Sequence, residues 1–239
     1  RGLGDVYKRQ MPKMVAACSG LDVLCHALES LTALPYHQRP APETPALRPA
    51  YQGANPISHI WAAKAIEICA KYLPRALEDP SDDEARGQML LAASFAGIGF
   101  GNAGVTLPHG MSYPISGKVR SYYPPDYPQD HPMAPHGMSV ILGAPAAFRF
   151  TAPSNPQLHL YAASLLGVDI RGARDEDAGD LLAGAVIEMM KKTGMPNGLK
   201  AIGFGMEDIE DLVAGALPQR RVLKLSPRPV SAEDLTRLF

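Results

Sequence analysis

Five residues occur twice in this chain. Pro108-His109-Gly110-Met111-Ser112 returns as Pro135-His136-Gly137-Met138-Ser139, with the two histidines 27 positions apart. A Pro just ahead of a helix-compatible run fits a helix start, because its missing N–H is one that the first turn leaves unpaired anyway. Both imidazoles then belong near helix N-termini. The positive end of the helix dipole favours the neutral ring there, the form that binds a metal. The duplication confines the chain to two readings: helices whose His-bearing ends converge, or two unrelated helix starts that share five residues.

A third stretch bears on that choice. Ser19 to Ser30 has a helical pattern in which Asp22 and His26, four residues apart, project from one face about a turn from each other. Leu21, Val23, Leu24, Ala27 and Leu28 surround them with apolar surface. A buried Asp and His need partners, which a shared cation supplies to both, or which each supplies to the other as a hydrogen-bonded core pair. One carboxylate and three imidazoles form an N3O set suited to Fe(II) or Zn(II) rather than to calcium or magnesium.

These residues carry a resemblance. Gly20 to Ser30, then Pro108 to Gly117, then Pro135 to Ser139, resemble the metal-binding core of the iron-containing alcohol dehydrogenases. Arg48 to Ser58 and Phe95 to Val105 resemble, more narrowly, the hydroxyacid-oxoacid transhydrogenase branch of that family. The resemblance spans roughly residues 11 to 239 and implies that Asp22, His26, His109 and His136 hold a divalent metal, Fe(II) foremost with Zn(II) the alternative. It also implies a hydride passed from a small hydroxyacid such as 4-hydroxybutyrate, through NAD(H), to an oxoacid such as 2-oxoglutarate. Tyr113 stands four residues after His109, where many relatives carry a His near nicotinamide and substrate, and is the candidate catalytic residue. The family's nucleotide-binding α/β domain precedes the helical one, so the complete enzyme's NAD(H) is expected there, with no cofactor-binding residue in this chain.

The chain is read as all-α, a helical bundle with the site inside, because no alternating stretch argues for a strand. Residues 11–239 form this metal-binding domain, and residues 1–10, polar and basic, are read as a segment left by cloning or sequence assembly. Helices are expected from Met11 to about Leu34, from Asn55-Pro56 to about Leu73 with Ile57, Ile60, Trp61, Ala65, Ile68 and Cys69 on one apolar helical stripe, and from a Ser81–Glu84 capping box to about Phe95. Further helices are expected from Pro135 to Phe150, from Pro156 to Leu166, and from Glu176 to a Gly194 cap, with shorter pieces beyond. Gly99 to Gly104 spells the G-x-G-x-x-G dinucleotide fingerprint, but a helix precedes it where the fingerprint needs a strand, so the glycines are assigned to close helix packing or to unwinding just before His109.

The formal net charge of −1 offers no field for nucleic acid or an anionic membrane, and no uninterrupted run of 18 apolar residues argues for a span. Three cysteines, Cys18, Cys25 and Cys69, make no disulfide framework. The expected partner is thus a small hydroxyacid or oxoacid, and a homo-oligomer stays open. So does the compartment: cytoplasmic for a bacterial source, mitochondrial for a eukaryotic one. Two further readings are a metallohydrolase with Glu29 as its carboxylate base, and a folded metal-binding fragment without activity. Arg120 is a candidate for recognising acidic substrates, while His37, His59, His131 and His159 are given no role.

Overall fold

The computed structural model describes residues 11–239, and the segment 1–10 lies outside the described residues. Among the described residues there is no strand, only an isolated parallel bridge between Pro35 and Ala54 that closes the long loop after the first helix. The bundle is all-α, as its sequence pattern leads one to expect.

Its axis is α1 (Lys13–Thr32), packed against α2 (Pro56–Glu78), α3 (Asp83–Ala103) and α5 (His136–Thr151). Leu21, Leu24, Leu28 and Leu31 of α1 are fully buried. By length and composition alone α1 could cross a membrane, but most of its surface lies against the other helices, so it serves here as a core helix. The short α4 (Leu107–Lys118) packs on α5 and on α8 (Ile209–Ala216), and α7 (Ala178–Thr193) packs on α5 and on α6 (Pro156–Leu165). The chain finishes with α9 (Arg220–Leu223) and α10 (Ala232–Leu238).

Cap chemistry places several ends where the sequence puts them. Asn55 accepts the Ser58 N–H at 3.0 Å with Pro56 as the first helical residue, a cap worth about 1 kcal/mol. Gly194 ends α7 in the left-handed region at φ 74°, and Ser231 opens α10 with a reciprocal capping box to Asp234. Other ends move. Helix α3 is capped by Asp82, not Ser81, with Asp82 accepting the Ala85 N–H at 2.9 Å, and Glu84 turns instead to Arg75. Pro74, Pro114 and Pro145 sit inside helices α2, α4 and α5. A Pro removes one backbone hydrogen bond, and tertiary packing on both sides carries each helix past it. Buried Leu73, Ala76 and Leu77 flank Pro74, and Pro114 lies against Gly215 of α8, where a Cβ would come within 2.6 Å.

Helix α3 also runs past Phe95 through the glycine string to Ala103. A Cβ on Gly99 would lie 3.3 Å from the Ser30 hydroxyl and 3.5 Å from the backbone of Ala62 and Ser58, so α1, α2 and α3 approach closely at this point. That closeness selects small residues for the inner face of α2. Ser58 and Ala62 are buried, as are Ala65, Ile68 and Cys69 of the expected stripe, while its first members Ile57 and Ile60 are 68% and 67% exposed. Gly99 to Gly104 is thus a helix end, with Gly104 its cap at φ 94°, and not a strand-to-helix turn.

Candidate metal centre

Asp22 and His26 face inward from α1, one turn apart. His109 and His136 arrive on the first turns of α4 and α5. The duplicated pentapeptide does the same work at each arrival. Each Pro stands at the helix start, each Met is fully buried, and each Ser donates its hydroxyl at 2.7 Å to the carbonyl of its own histidine. Each Gly permits a close approach. A Cβ on Gly137 would fall 1.9 Å from the Cys18 carbonyl oxygen and 3.0 Å from the Asp22 Cβ, and one on Gly110 would fall 2.7 Å from Leu223. Glycine at 137 is therefore what lets the start of α5 touch α1 beside Asp22.

Ligand atoms of Asp22, His26 and His109 lie within 4.8 Å of one another. Asp22 Oδ1 is 3.6 Å from His109 Nε2 and 3.6 Å from His136 Nε2. Two ligands each about 2.1 Å from one tetrahedral ion stand about 3.4 Å apart, so these spacings suit a shared cation better than direct hydrogen bonds. Asp22 Oδ1 and His109 Nε2 are both buried without a hydrogen-bond partner, a costly state that an ion between them would relieve. The donor set and the two orphaned atoms fit a divalent metal. His136 is the outer member: its ring is 5.3 Å from that of His109, yet its side chain is 51% exposed.

Hydrogen bonds at Nδ1 leave Nε2 as the nitrogen that can face a metal on two of the rings. His26 Nδ1 lies 2.8 Å from the Asp22 carbonyl oxygen, which can only accept, so Nδ1 donates and Nε2 stays free. Phe100 packs on the His26 ring with centroids 4.1 Å apart. His109 Nδ1 lies 2.6 Å from Glu29 Oε1, and Glu29 is fully buried. Burial pushes His109 down, but Glu29 and Asp22 outweigh it and raise the pKa to about 9. Burial pushes the Asp22 carboxyl up, and the His109, His26 and His136 rings around it hold it below its ordinary value. Burial lowers His26, with Asp22 only partly opposing. A cation entering here must displace the proton from His109 Nε2, so uptake is coupled to proton release.

The remaining candidates separate cleanly. Tyr113 lies one turn after His109 on α4 and is 39% exposed. Arg120 is engaged by Asp208, which also accepts the Gly205 N–H at 2.9 Å, so it is no free cation for an acidic substrate. His131 is an exposed loop residue paired with Asp130. Glu29 is no water-activating base either, for both its oxygens are occupied: Oε1 by His109 and Oε2 by the Thr106 N–H at 2.7 Å. Its real contact escapes the sequence because Thr106 lies 77 residues away. The available signal is its position seven residues after Asp22, on the same stripe of α1.

Comparison with known proteins adds three findings. Residues 50–239 match the Fe-containing alcohol dehydrogenase family, C-terminal part. The chain is 58% identical over 240 residues to the mitochondrial hydroxyacid-oxoacid transhydrogenase of Bos taurus, with 100% of this chain and 52% of the relative covered. The chain thus spans about half the length of the curated relatives it matches. Among solved structures, a 1,3-propanediol oxidoreductase superposes with a TM-score of 0.80 at 24% identity, covering 98% of this chain and 53% of that one. Sulfoacetaldehyde reductase from Bifidobacterium kashiwanohense, in complex with NAD+, superposes with a TM-score of 0.72 at 24% identity, covering 98% and 51%.

Proposed function

The chain belongs to the Fe-containing alcohol dehydrogenase family, and from that premise we propose that it is the metal-holding half of an NAD-dependent hydroxyacid-oxoacid transhydrogenase. The observation that carries this is the convergence of Asp22, His26, His109 and His136 around two orphaned polar atoms. These four residues are assigned as ligands of one divalent ion, Fe(II) in preference to Zn(II). The ion's chemistry is to stabilise the negative charge that builds on the alcohol oxygen as hydride leaves the adjacent carbon.

The chain's own residues do the rest. Asp22 supplies the single negative charge of the ligand set, and Glu29 and the Asp22 carbonyl orient two of the rings. Phe100, packed on the His26 ring with centroids 4.1 Å apart, shields that ring from water. Half-exposed His136 marks the open side, where a small hydroxyacid or oxoacid and the nicotinamide would enter, and exposed Tyr113 is proposed to contact them there. The donor is 4-hydroxybutyrate and the acceptor 2-oxoglutarate in this reading, supported by the 58% identity to a transhydrogenase. The same relatives, named mitochondrial, support a mitochondrial location. No residue of this chain is assigned to NAD(H), so calorimetry on the chain alone should give no saturable NAD binding.

The test joins this chain to the preceding half of the Bos taurus relative. With NAD, 2-oxoglutarate and 4-hydroxybutyrate deuterated at C4, deuterium should appear at C2 of 2-hydroxyglutarate, and Asp22→Ala should abolish the transfer. Deuterium transfer that survives Asp22→Ala, or its absence in the unmodified chimera when the parent relative performs it, rules the reading out.

A further inference from the structure

Glu29 is a carboxylate side chain with no exposed surface, and among the described residues its hydrogen bonds go to Thr106 and to one proposed ligand, His109. We propose that Glu29 is the positioning residue that makes His109 a metal ligand, holding at once the ring and the helix start that bears it. The inference rests on the metal-centre reading above.

The argument begins with what a carboxylate can do. When ionised it only accepts, so the nitrogen facing Oε1 at 2.6 Å, His109 Nδ1, must be the one that carries hydrogen. In the neutral ring that binds a metal the lone pair is thereby fixed on Nε2, the atom that stands 3.6 Å from Asp22 Oδ1 without a partner. Oε2 faces the other way, into the opening turn of α4. It accepts the Thr106 N–H at 2.7 Å, with the Thr106 hydroxyl and the His109 N–H each at 3.4 Å. Thr106 is the N-cap of α4 and makes no side-chain cap of its own. A distant carboxylate therefore does what a cap does locally, and the helix dipole favours its charge there. One side chain fixes the tautomer and tilt of the ring through one oxygen, and the position of its backbone through the other.

The second copy of the pentapeptide shows what happens without such a residue. No hydrogen bond to the His136 ring is formed among the described residues, and that ring is half exposed. Two histidines with identical neighbours thus differ in the acid behind them.

Glu29→Gln tests this because it keeps the shape and removes one acceptor. If the amide oxygen faces Nδ1, the NH2 confronts the Thr106 N–H, donor against donor. If the amide is turned round, its NH2 faces Nδ1 and drives the ring proton to Nε2, where it blocks a metal. The measurement is Zn(II) affinity of the full chain by chelator competition, with circular dichroism as the folding control. Its companion is the imidazole nitrogen NMR of the Zn(II)-loaded wild type. Expected are one Zn(II) per chain, a 10- to 100-fold weaker affinity in Glu29→Gln, and a His109 Nδ1–H signal in the wild type. Unchanged affinity in a folded Glu29→Gln overturns the role of Glu29 and leaves the metal centre standing. Failure of the wild type to take up Zn(II) overturns both. Should Glu29→Gln not fold, the wild-type spectrum decides, and a His109 bound through Nδ1 would refute the proposal.

Discussion

The two copies of Pro-His-Gly-Met-Ser are identical in sequence and opposite in circumstance. The first buries its histidine, 3% exposed, against a carboxylate. The second leaves its histidine half exposed, beside the shared Asp22 and the His109 ring, with no hydrogen bond to its ring among the described residues. Local sequence therefore sets where each ring begins, at a helix start, and the rest of the chain decides whether it is a wall or a door. His109 belongs to the core and His136 to the opening.

The largest expected effect separates these roles in the metal-free chain. His109→Ala leaves Glu29 Oε1 buried without its ring partner while Oε2 keeps the Thr106 N–H, and losing one partner of a buried charged pair costs about 3–5 kcal/mol. His136→Ala removes a half-exposed ring and should shift stability by no more than about 0.5 kcal/mol. Both should abolish tight metal binding. Denaturant unfolding of the two variants in chelator measures the gap, and equal losses would erase the distinction between wall and door.

What the sequence discloses divides along the same line. Asp22 and His26 are readable because four residues is one helical turn, and His109 and His136 because their setting is duplicated. Asn55, Gly194 and Ser231 mark helix ends through chemistry confined to three or four neighbouring residues. What escapes local reading depends on distant contacts. Pro74 looks like a stop until the packing that carries α2 past it is known. Ile57 and Ile60 look like core until Gly99 brings α3 so close that only Ser58 and Ala62 fit between. Glu29 looks like an available base until Thr106 and His109 arrive from about 80 residues downstream.

The next effect is on pH. Burial without an acid pushes His159, hydrogen-bonded to Asn155 and Thr151, down to about 4, whereas burial against Glu29 and Asp22 leaves His109 up at about 9. Near 6.5 both are at their unfolded value. A group with a lowered folded pKa binds its proton more readily when unfolded, so the His159 contribution is lost as pH falls from about 6.5 toward 4. A raised pKa works the other way, and the His109 contribution is lost as pH rises from about 6.5 through 9. Stability of the metal-free chain should therefore peak near pH 6.5, each single-proton limb sloping by at most about 1.4 kcal/mol per pH unit. The alkaline limb should vanish in His109→Ala, persist in His136→Ala, and vanish in the wild type when Zn(II) replaces the proton. Thermal melts from pH 4.5 to 8.5, below the range where buried Cys18, Cys25 and Cys69 add an alkaline loss of their own, read all three, and an alkaline limb in that window that survives His109→Ala breaks the assignment.

A smaller effect tests the glycines. In Gly137→Ala the new methyl meets a backbone carbonyl that cannot turn aside, so α5 must withdraw from α1, at about 2 kcal/mol of overpacking. In Gly110→Ala it meets the end of the Leu223 side chain, which can rotate, and the cost should stay below about 1 kcal/mol. Gly137→Ala should also weaken metal binding, because the withdrawal carries His136 away from Asp22. Equal melting temperatures and equal Zn(II) affinities for the two variants would show that the close approach at Gly137 is not what seats His136.

The smallest effect concerns the helices rather than their first turns. Eight residues after His109 stands Gly117, and eight after His136 stands Ala144. Gly117 is helical and exposed, its φ is not positive, and a Cβ there would meet nothing within 4 Å. Gly117→Ala therefore makes the first helix like the second at no steric cost, and reduces the freedom of the unfolded chain. The expected gain is about 0.5 kcal/mol, below the full interior value because the helix ends one residue later at Lys118. Zn(II) affinity should not change, since Glu29 and Thr106 hold the His109 ring from the opposite end of α4. A variant that is more stable and binds Zn(II) as before would show that the ligand is fixed at its helix start. A tighter or weaker site would mean that the whole of α4 sets the geometry, and that the contrast between the two copies extends beyond their five shared residues.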